Sequence, residues 1–206
     1  MFRDVITTEQ ELRDLMGEPS DGAVKKETSG LTEQARRFVE RSPFVLLATA
    51  SRDGTCDVSP KGDPAGFVRV LDDRHLVIPD RPGNRRFDGF LNILETGRIG
   101  LIFLVPGRQE TLRVNGRAWI TQDPDLLDTM LVQGKRPWFA LGVEVEECFL
   151  HCAKALVRSH LWETDSWPDL STVPTGAELL RSSPKIDMPL EELAASLAES
   201  VKTRLY

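Results

Sequence analysis

The stretch ETLRVNGRAWIT, residues 110–121, has the clearest alternation of apolar and polar side chains in the chain. Its two sets are Leu112, Val114, Gly116, Ala118 and Ile120 on one side and Arg113, Asn115, Arg117 and Trp119 on the other. Successive side chains of a β-strand point to opposite faces of a sheet, so a period of two over this length predicts a strand. One face of this strand is expected to lie in the core, while the other carries two cations and an amide.

Short apolar runs on either side of this stretch predict further strands at short, regular spacing. These segments are residues 44–50, 55–59, 66–71, 75–78, 98–105 and 141–150. Turn signals such as Asp53-Gly54 and Pro106-Gly107 follow several of them, as is typical of hairpins. Strands connected in this way predict an antiparallel barrel or sandwich rather than a doubly wound sheet.

Helices are predicted at both ends of the chain and at two places between strands. The predicted segments are residues 8–16, 31–41, 84–95, 125–131 and 189–205, with connecting loops at 17–30 and 167–184. Thr8 and Glu11 have the spacing of a capping box, which supports the first helix. The third helix is predicted to begin near Asn84, because four apolar residues between positions 87 and 94 recur at helical spacing.

The composition bounds the class of protein. The chain has 206 residues, 40% of them hydrophobic and 28% charged, which is enough for one domain with a substantial core. It has no run of about 18 uninterrupted apolar residues, so no membrane-spanning helix is predicted. Acidic residues in the first apolar run argue against a secretory signal, and three cysteines are too few for a disulfide scaffold. We therefore expect a cytoplasmic protein with a single domain over residues 1–206.

The formal net charge of -6 argues against a nucleic acid as the main partner, because binding a polyanion requires a basic surface. Arginines are nevertheless concentrated in the middle of the chain. Arg85 and Arg86 fall in the first turn of the predicted third helix, where the helix dipole disfavours cations. A bound phosphate would explain them, since free amides, the nearby Gly83 and two arginines suit that group. The alternative is that both arginines point into solvent.

Two further features favour an anionic ligand. The segment Ser59-Pro60-Lys61 places a hydroxyl and a cation at the end of a predicted strand. The polar face of residues 110–121 adds two arginines and an asparagine, although that face could also be a plain exposed sheet surface. Taken together, the three features predict a small phosphorylated ligand.

The order of these segments resembles one known family. The segments are FVLLATASRDGTCDVSPKGD, GFVRVL, HLVIPDRPGNRRFDGFLNIL, RIGLIFLVPGRQETLRVNGRAWIT and HCAKALVRSHLW. Their order is similar to that of the pyridoxamine 5'-phosphate oxidase-related, FMN-binding split-barrel proteins, with the closest likeness to a bacterial branch. The resemblance covers roughly residues 31–162, and its most specific part runs from Ile78 to Arg86.

The resemblance implies an α+β fold built on a six-stranded antiparallel split β-barrel. It also implies a homodimer with FMN bound in clefts between the subunits. The cofactor-binding residues that it implies are Asn84, Arg85 and Arg86 for the phosphate, Ser59, Pro60 and Lys61 along the flavin, Ile78, Pro79 and Asp80 under the ring and ribityl chain, and Thr111 and Arg113 from the partner subunit. The segment HCAKALVRSHLW adds Arg158 to this set.

The domain organisation that follows is a barrel core at about 31–162, N-terminal helices within 1–42 and a C-terminal helical extension at 163–206. Two departures from the family pattern argue against vitamin B6 phosphate as the substrate. The strand containing Cys56-Asp57-Val58 lacks the early arginine of true pyridoxamine phosphate oxidases. The chain also carries an alanine-rich amphipathic helix where those enzymes have a strand rich in arginine and tryptophan.

The function implied is that of an FMN-dependent oxidoreductase that moves a hydride or electrons from a nicotinamide donor to an unknown small acceptor. The alternatives are a non-catalytic flavin carrier or sensor, or a split barrel that binds deazaflavin or haem. No protein side chain is expected to act as a nucleophile or acid-base pair, because the flavin itself performs the transfer. Cys148, His151 and Cys152 invite a metal site, but their alternation on a strand favours buried thiols instead.

Overall fold

Seven strands form one antiparallel sheet in the computed structural model, which describes residues 2–206. The strands are β1 (Phe44–Ala50), β2 (Cys56–Gly62), β3 (Arg69–Val70), β4 (His75–Pro79), β5 (Arg98–Leu104), β6 (Thr111–Thr121) and β7 (Ala140–His151). Their order across the sheet is β2-β1-β5-β6-β7-β4-β3. The predicted α+β class with an antiparallel sheet is therefore confirmed, and the strand count is seven rather than six.

Two strands differ from the prediction by more than one residue at an end. β2 continues to Gly62 because Phe44 at the start of β1 pairs with it, so Pro60 and Lys61 belong to the strand. The predicted strand at 66–71 shrinks to β3, whose two residues pair only with the end of β4.

Within residues 2–206, eight α-helices accompany the sheet. They are α1 (Glu9–Met16), α2 (Asp21–Lys25), α3 (Glu33–Arg41), α4 (Asp88–Thr96), α5 (Pro124–Asp128), α6 (Lys154–Arg158), α7 (Gly176–Arg181) and α8 (Leu190–Thr203). The capping box between Thr8 and Glu11 is present. The segments predicted as loops at 17–30 and 167–184 were wrong in part, because they contain α2 and α7, each begun by a serine or threonine cap.

Helix α4 begins at Asp88 and not at Asn84 as predicted. Arg85 and Phe87 have φ angles of 60° and 61°, in the left-handed region that a right-handed helix cannot include. The apolar spacing that starts at Phe87 is helical, but the backbone before it is a loop. Arg85 and Arg86 therefore precede the helix instead of occupying its first turn.

The two faces of the sheet have different surroundings. Residues that lie opposite each other in antiparallel strands share a face, so the register identifies rows across the sheet. The row Ser59–Leu47–Leu101–Val114 lies on the inner face, where its three apolar members are buried and where α4 packs. The neighbouring row Pro60–Leu46–Ile102–Arg113 lies on the outer face and is only partly covered. None of the helices between residues 2 and 206 has the length and apolarity needed to cross a membrane.

Asn92 fixes α4 to the inner face. Its side-chain amide is buried and donates to Thr49 Oγ1 at 3.1 Å and to Asp57 Oδ2 at 2.8 Å. α4 is thereby tied to both β1 and β2.

We expect Asn92→Leu to lower the free energy of unfolding by about 1–3 kcal/mol, because it leaves two polar partners unpaired under a helix. Chemical denaturation measures the effect. Leu94→Ala on the same helix, where the leucine side chain is 70% exposed, serves as a comparison, and equal losses in the two variants would contradict the anchoring role of Asn92.

Candidate functional site

The end of β2, at Lys61, and the residue that follows β4, Asp80, lie side by side, and we call this place the corner. Lys61 Nζ lies 2.5 Å from Asp80 Oδ1, and both side chains are largely buried. The Asp80 amide donates to the carbonyl of Phe139 at 3.2 Å, which continues the β4–β7 ladder by one residue. Lys61 and Asp80, 19 residues apart in the chain, are thus brought together by the pairing of strands rather than by local sequence.

A second ion pair lies immediately beyond the first. Arg81 Nε donates to Asp63 Oδ2 at 2.7 Å, and the Asp63 side chain is only 1% exposed. The hydroxyl of Tyr206 donates to the other oxygen of the same carboxylate at 2.7 Å. This hydrogen bond and the burial of the ring raise the pKa of Tyr206, because an ionised phenolate would face the Asp63 carboxylate.

The start of α4 faces the same corner. Ser59 lies below it on the inner face, and a Cβ at Gly89 would lie 3.7 Å from Ser59 Oγ. Phe87, at the N-cap position, provides no side-chain hydrogen bond to the first turn of α4. The amides of this first turn therefore have no side-chain acceptor, in contrast to those of α3, which Thr32 caps.

The loop before α4 carries the two predicted arginines in different environments. Arg86 Nε donates to Asp88 Oδ2 at 2.7 Å, and this bond raises the pKa of Arg86 above its usual value. The side-chain oxygen of Asn84 accepts from the Arg86 amide at 3.1 Å, which shapes the loop. Arg85 forms no ion pair with any residue in the described range 2–206, and its guanidinium lies 5.8 Å from the centre of the Trp138 ring. Of the two arginines in this loop, Arg85 is therefore the one more available to an anion.

Aromatic side chains form one wall of this corner. Phe90 lies 5.0 Å from Phe139 and 5.9 Å from Phe87, measured between ring centres, in edge-to-face arrangements. The ammonium of Lys61 lies 4.9 Å from the centre of the Phe90 ring. The wall joins α4 to the residues just before β7.

Two predicted residues of β4 serve the core. Ile78 and Pro79 are buried, and they pair with Leu141 and Ala140 of β7. The Ile78 side chain is 1% exposed and packs in the main hydrophobic cluster. These residues hold Asp80 in position at the end of the strand.

Thr111 and Arg113 lie on the outer face of the sheet, away from Lys61. The Arg113 guanidinium lies 5.4 Å from the centre of the Phe149 ring on β7. Arg158 is exposed at the end of α6, beyond the end of β7 where His151 pairs with Thr111. Within one chain these three residues are therefore separate from the corner formed by β2, β4 and α4.

Sequence reasoning missed the aromatic wall of Phe87, Phe90 and Phe139. It also missed Asp63, Arg81, Trp138 and Tyr206 at the same corner. Arg81 and Asp63 adjoin predicted residues, so their proximity in sequence was a signal that could have been used. Nothing in the local sequence signals Trp138 or Tyr206, because their contacts depend on distant segments.

The cysteines do not form a shared cluster in the structure. Cys148 is buried, and burial raises its pKa to about 11, so its thiol is protonated at neutral pH. Cys152 follows β7 and is exposed, so the prediction of buried thiols is confirmed for Cys148 and was wrong for Cys152. Within residues 2–206 no three His, Cys, Asp or Glu side chains lie in an arrangement that could hold a metal ion.

Sequence comparison identifies the family. Residues 31–152, more than half of the chain, match pyridoxamine 5'-phosphate oxidase. The chain belongs to the pyridoxamine 5'-phosphate oxidase family. Its antiparallel sheet is typical of the split barrel of that family, and the matched region contains every residue of the corner except Tyr206. No curated protein matches the chain.

Several solved structures are similar to this member of the family. HupZ of Group A Streptococcus is 20% identical, with a TM-score of 0.48 over 58% of this chain and 93% of its own. A protein of Lactobacillus delbrueckii, solved as a candidate pyridoxamine 5'-phosphate oxidase, is 28% identical, with a TM-score of 0.47 over 59% and 95%. An FMN-binding protein from Syntrophomonas wolfei is 14% identical, with a TM-score of 0.45 over 58% and 85%.

Proposed function

We propose that this protein binds FMN and acts as an oxidoreductase between a nicotinamide donor and a small acceptor. The observation that carries the proposal is the position of Arg85. Its guanidinium has no ion-pair partner among the described residues and stands in the loop that leads into the uncapped start of α4. Family membership makes a flavin phosphate the natural anion for this place.

The donors at this corner fit a phosphate. Arg85 supplies a planar cation, the first turn of α4 supplies amides, and the Ser59 hydroxyl lies beside that turn. Arg86 is paired with Asp88 and is therefore expected to contribute less than Arg85 to phosphate binding. The donor set would hold a compact phosphate group, and the aromatic wall with Phe90 suits a planar ring system beside it.

When bound, FMN would supply reversible two-electron chemistry on its ring. The protein's own residues bind the cofactor, exclude water and provide charge. Lys61 is the inner-face cation of the corner, and Asp80 holds its ammonium in one place. The paired ammonium keeps a fixed position, but Asp80 offsets part of its charge, so Lys61 would stabilise negative charge on a reduced ligand less than a free ammonium would.

We propose further that the protein is a homodimer. Arg113 and Thr111 lie on the outer face, so one chain cannot direct them and Lys61 to the same ligand. The outer face is partly apolar, with Leu46 and Ile102 in one row and Val58 66% exposed in the next. A second copy on this face would bury that row and bring its own Arg113 to the cleft, and the molar mass in solution measures this.

A flavin-binding protein without turnover is the second candidate function. The pairing of Lys61 with Asp80 favours it, because a neutralised cation stabilises a reduced flavin less well than a free one.

The experiment has two steps. The purified protein should be yellow and should release FMN on denaturation. An absorption spectrum of deazaflavin or haem would show instead that the protein binds one of those ligands and not FMN. Anaerobic mixing with NADH or NADPH should then bleach the flavin absorbance. FMN that is bound and yet stays oxidised in the presence of both nucleotides would support the carrier and contradict the oxidoreductase.

A further inference from the structure

The segment Arg204–Tyr206 follows α8 and lies against the corner described above. The Tyr206 hydroxyl donates to Asp63, and the carbonyl oxygen of Tyr206 accepts from Lys135 Nζ at 2.7 Å. The Tyr206 ring also lies 5.8 Å from the Arg81 guanidinium. One residue thus contacts three segments that are far apart in sequence.

The contact with Asp63 is the central one. This side chain is almost completely buried, and its two oxygens bond to Arg81 and Tyr206. Loss of one partner would leave a buried carboxylate oxygen without its hydrogen bond, which is costly. The hydrogen bond to Asp63 therefore stabilises Tyr206 in its observed position.

The three contacted segments carry the walls of the proposed flavin site. Asp63 follows Lys61 by two residues, and Arg81 follows Asp80 directly. Lys135 belongs to the turn that precedes Trp138, whose ring faces Arg85. Tyr206 therefore joins the end of β2, the end of β4 and the approach to β7.

We propose that residues 204–206 are a latch that holds these walls together and slows release of the bound cofactor. The inference rests on the proposed flavin site and adds a residue outside the matched region to it. α8 itself packs against α7. The contacts of Tyr206 are therefore the main contacts between this segment and the corner. An open latch would allow the three walls to move independently.

The first test needs no ligand. Hydrogen exchange is measured on the flavin-free protein for the wild type, Tyr206→Phe, Tyr206→Ala and the control Val201→Ala on α8, whose side chain is 69% exposed. The amides to follow are those of Asp63, Asp80 and Lys135, which donate to Pro43, Phe139 and Val132. We expect exchange about tenfold faster in Tyr206→Ala, with a smaller increase in Tyr206→Phe and none in the control.

The second test follows release of FMN from the loaded protein after dilution, by flavin fluorescence. Tyr206→Ala should release FMN about tenfold faster than the wild type, on the scale of one lost hydrogen bond and its packing. Slower release or tighter binding in that variant would overturn the latch, since the segment would then compete with the cofactor.

The two tests separate the latch from the proposed function. Unchanged exchange at all three amides in Tyr206→Ala overturns the latch whether or not the protein binds FMN. Accelerated exchange with unchanged FMN release also overturns the latch, because the contacts of Tyr206 would then have no effect on the rate of FMN release. If the wild type binds no FMN, the proposed flavin function fails, and with it the role of the latch in cofactor release.

Discussion

Replacing Arg85 and Arg86 together with alanine should weaken FMN binding by about 3 kcal/mol or more, roughly a hundredfold in Kd. Charge-assisted hydrogen bonds to a phosphate are among the strongest that side chains form, and the double variant removes both guanidinium groups of the loop. Titration of the flavin-free protein with FMN, followed by quenching of flavin fluorescence, measures the change. Affinity equal to that of the wild type would contradict the assignment of this loop to the phosphate.

The single variants sharpen this test. Arg86 is paired with Asp88 whereas Arg85 has no ion-pair partner within residues 2–206, so Arg85→Ala should account for most of the loss. The matched control is Arg37→Ala with Arg41→Ala, which removes two exposed cations of α3 and leaves the loop intact. A similar loss in that control would show that only net charge matters.

Gly116→Ala should cause the largest loss of stability in the sheet, at least about 3 kcal/mol in the free energy of unfolding. A Cβ at this position would lie 1.9 Å from the carbonyl oxygen of Glu144 and 3.0 Å from its carbonyl carbon. Both atoms are backbone of the paired strand β7, so no flexible side chain can move aside. The register of β6 and β7 shifts between Asn115 and Gly116, and the bulge brings the two backbones together there.

The matched control for this prediction is Gly142→Ala on β7. A Cβ at Gly142 meets no atom within 4 Å, so the change in stability should stay within about 0.5 kcal/mol. Urea denaturation of both variants measures the difference. A loss in Gly116→Ala no larger than in Gly142→Ala would show that the two strands separate at the bulge at little cost.

The outcome at α4 shows where sequence reasoning ended. Helical spacing of apolar side chains predicted a helix through this region, and α4 is present with Asn92 and Ile93 buried. Spacing describes which side chains share a face, but it does not fix the backbone before the first of them. Arg85 and Phe87 adopt left-handed conformations, and Phe87 there packs on Phe90 in the first turn of α4 and on Phe139, which lies just before β7.

For the candidate site, the sequence likewise predicted some of the residues but not their partners. Lys61 and Arg85 are noticeable in the sequence because a cation at a strand end or near a helix start is unusual. Their surroundings were not predictable, since Asp80 neutralises the first and Trp138 lies beside the second. Those partners come from β4 and from the turn before β7, and only the pairing of β4 with β7 brings them there.

The sequence by itself determined the local character of the chain. Alternation over residues 110–121 is enough for a strand with one buried face, because side-chain direction in a strand repeats every two residues. The spacing of the strands and the order of the segments likewise predicted an antiparallel fold of the family to which the chain belongs.

Only the tertiary structure decided which charges meet. Asp63 and Tyr206 are 143 residues apart. Lys61 lies in β2, at one end of the strand order, and Asp80 directly follows β4, the last strand but one at the other end. Such pairs form because the strands fold over one buried core, and the ends of strands that are distant in the chain then lie side by side. Coulombic and hydrogen-bond energies depend on distances that no local pattern encodes. The corner and its latch are therefore properties of the fold.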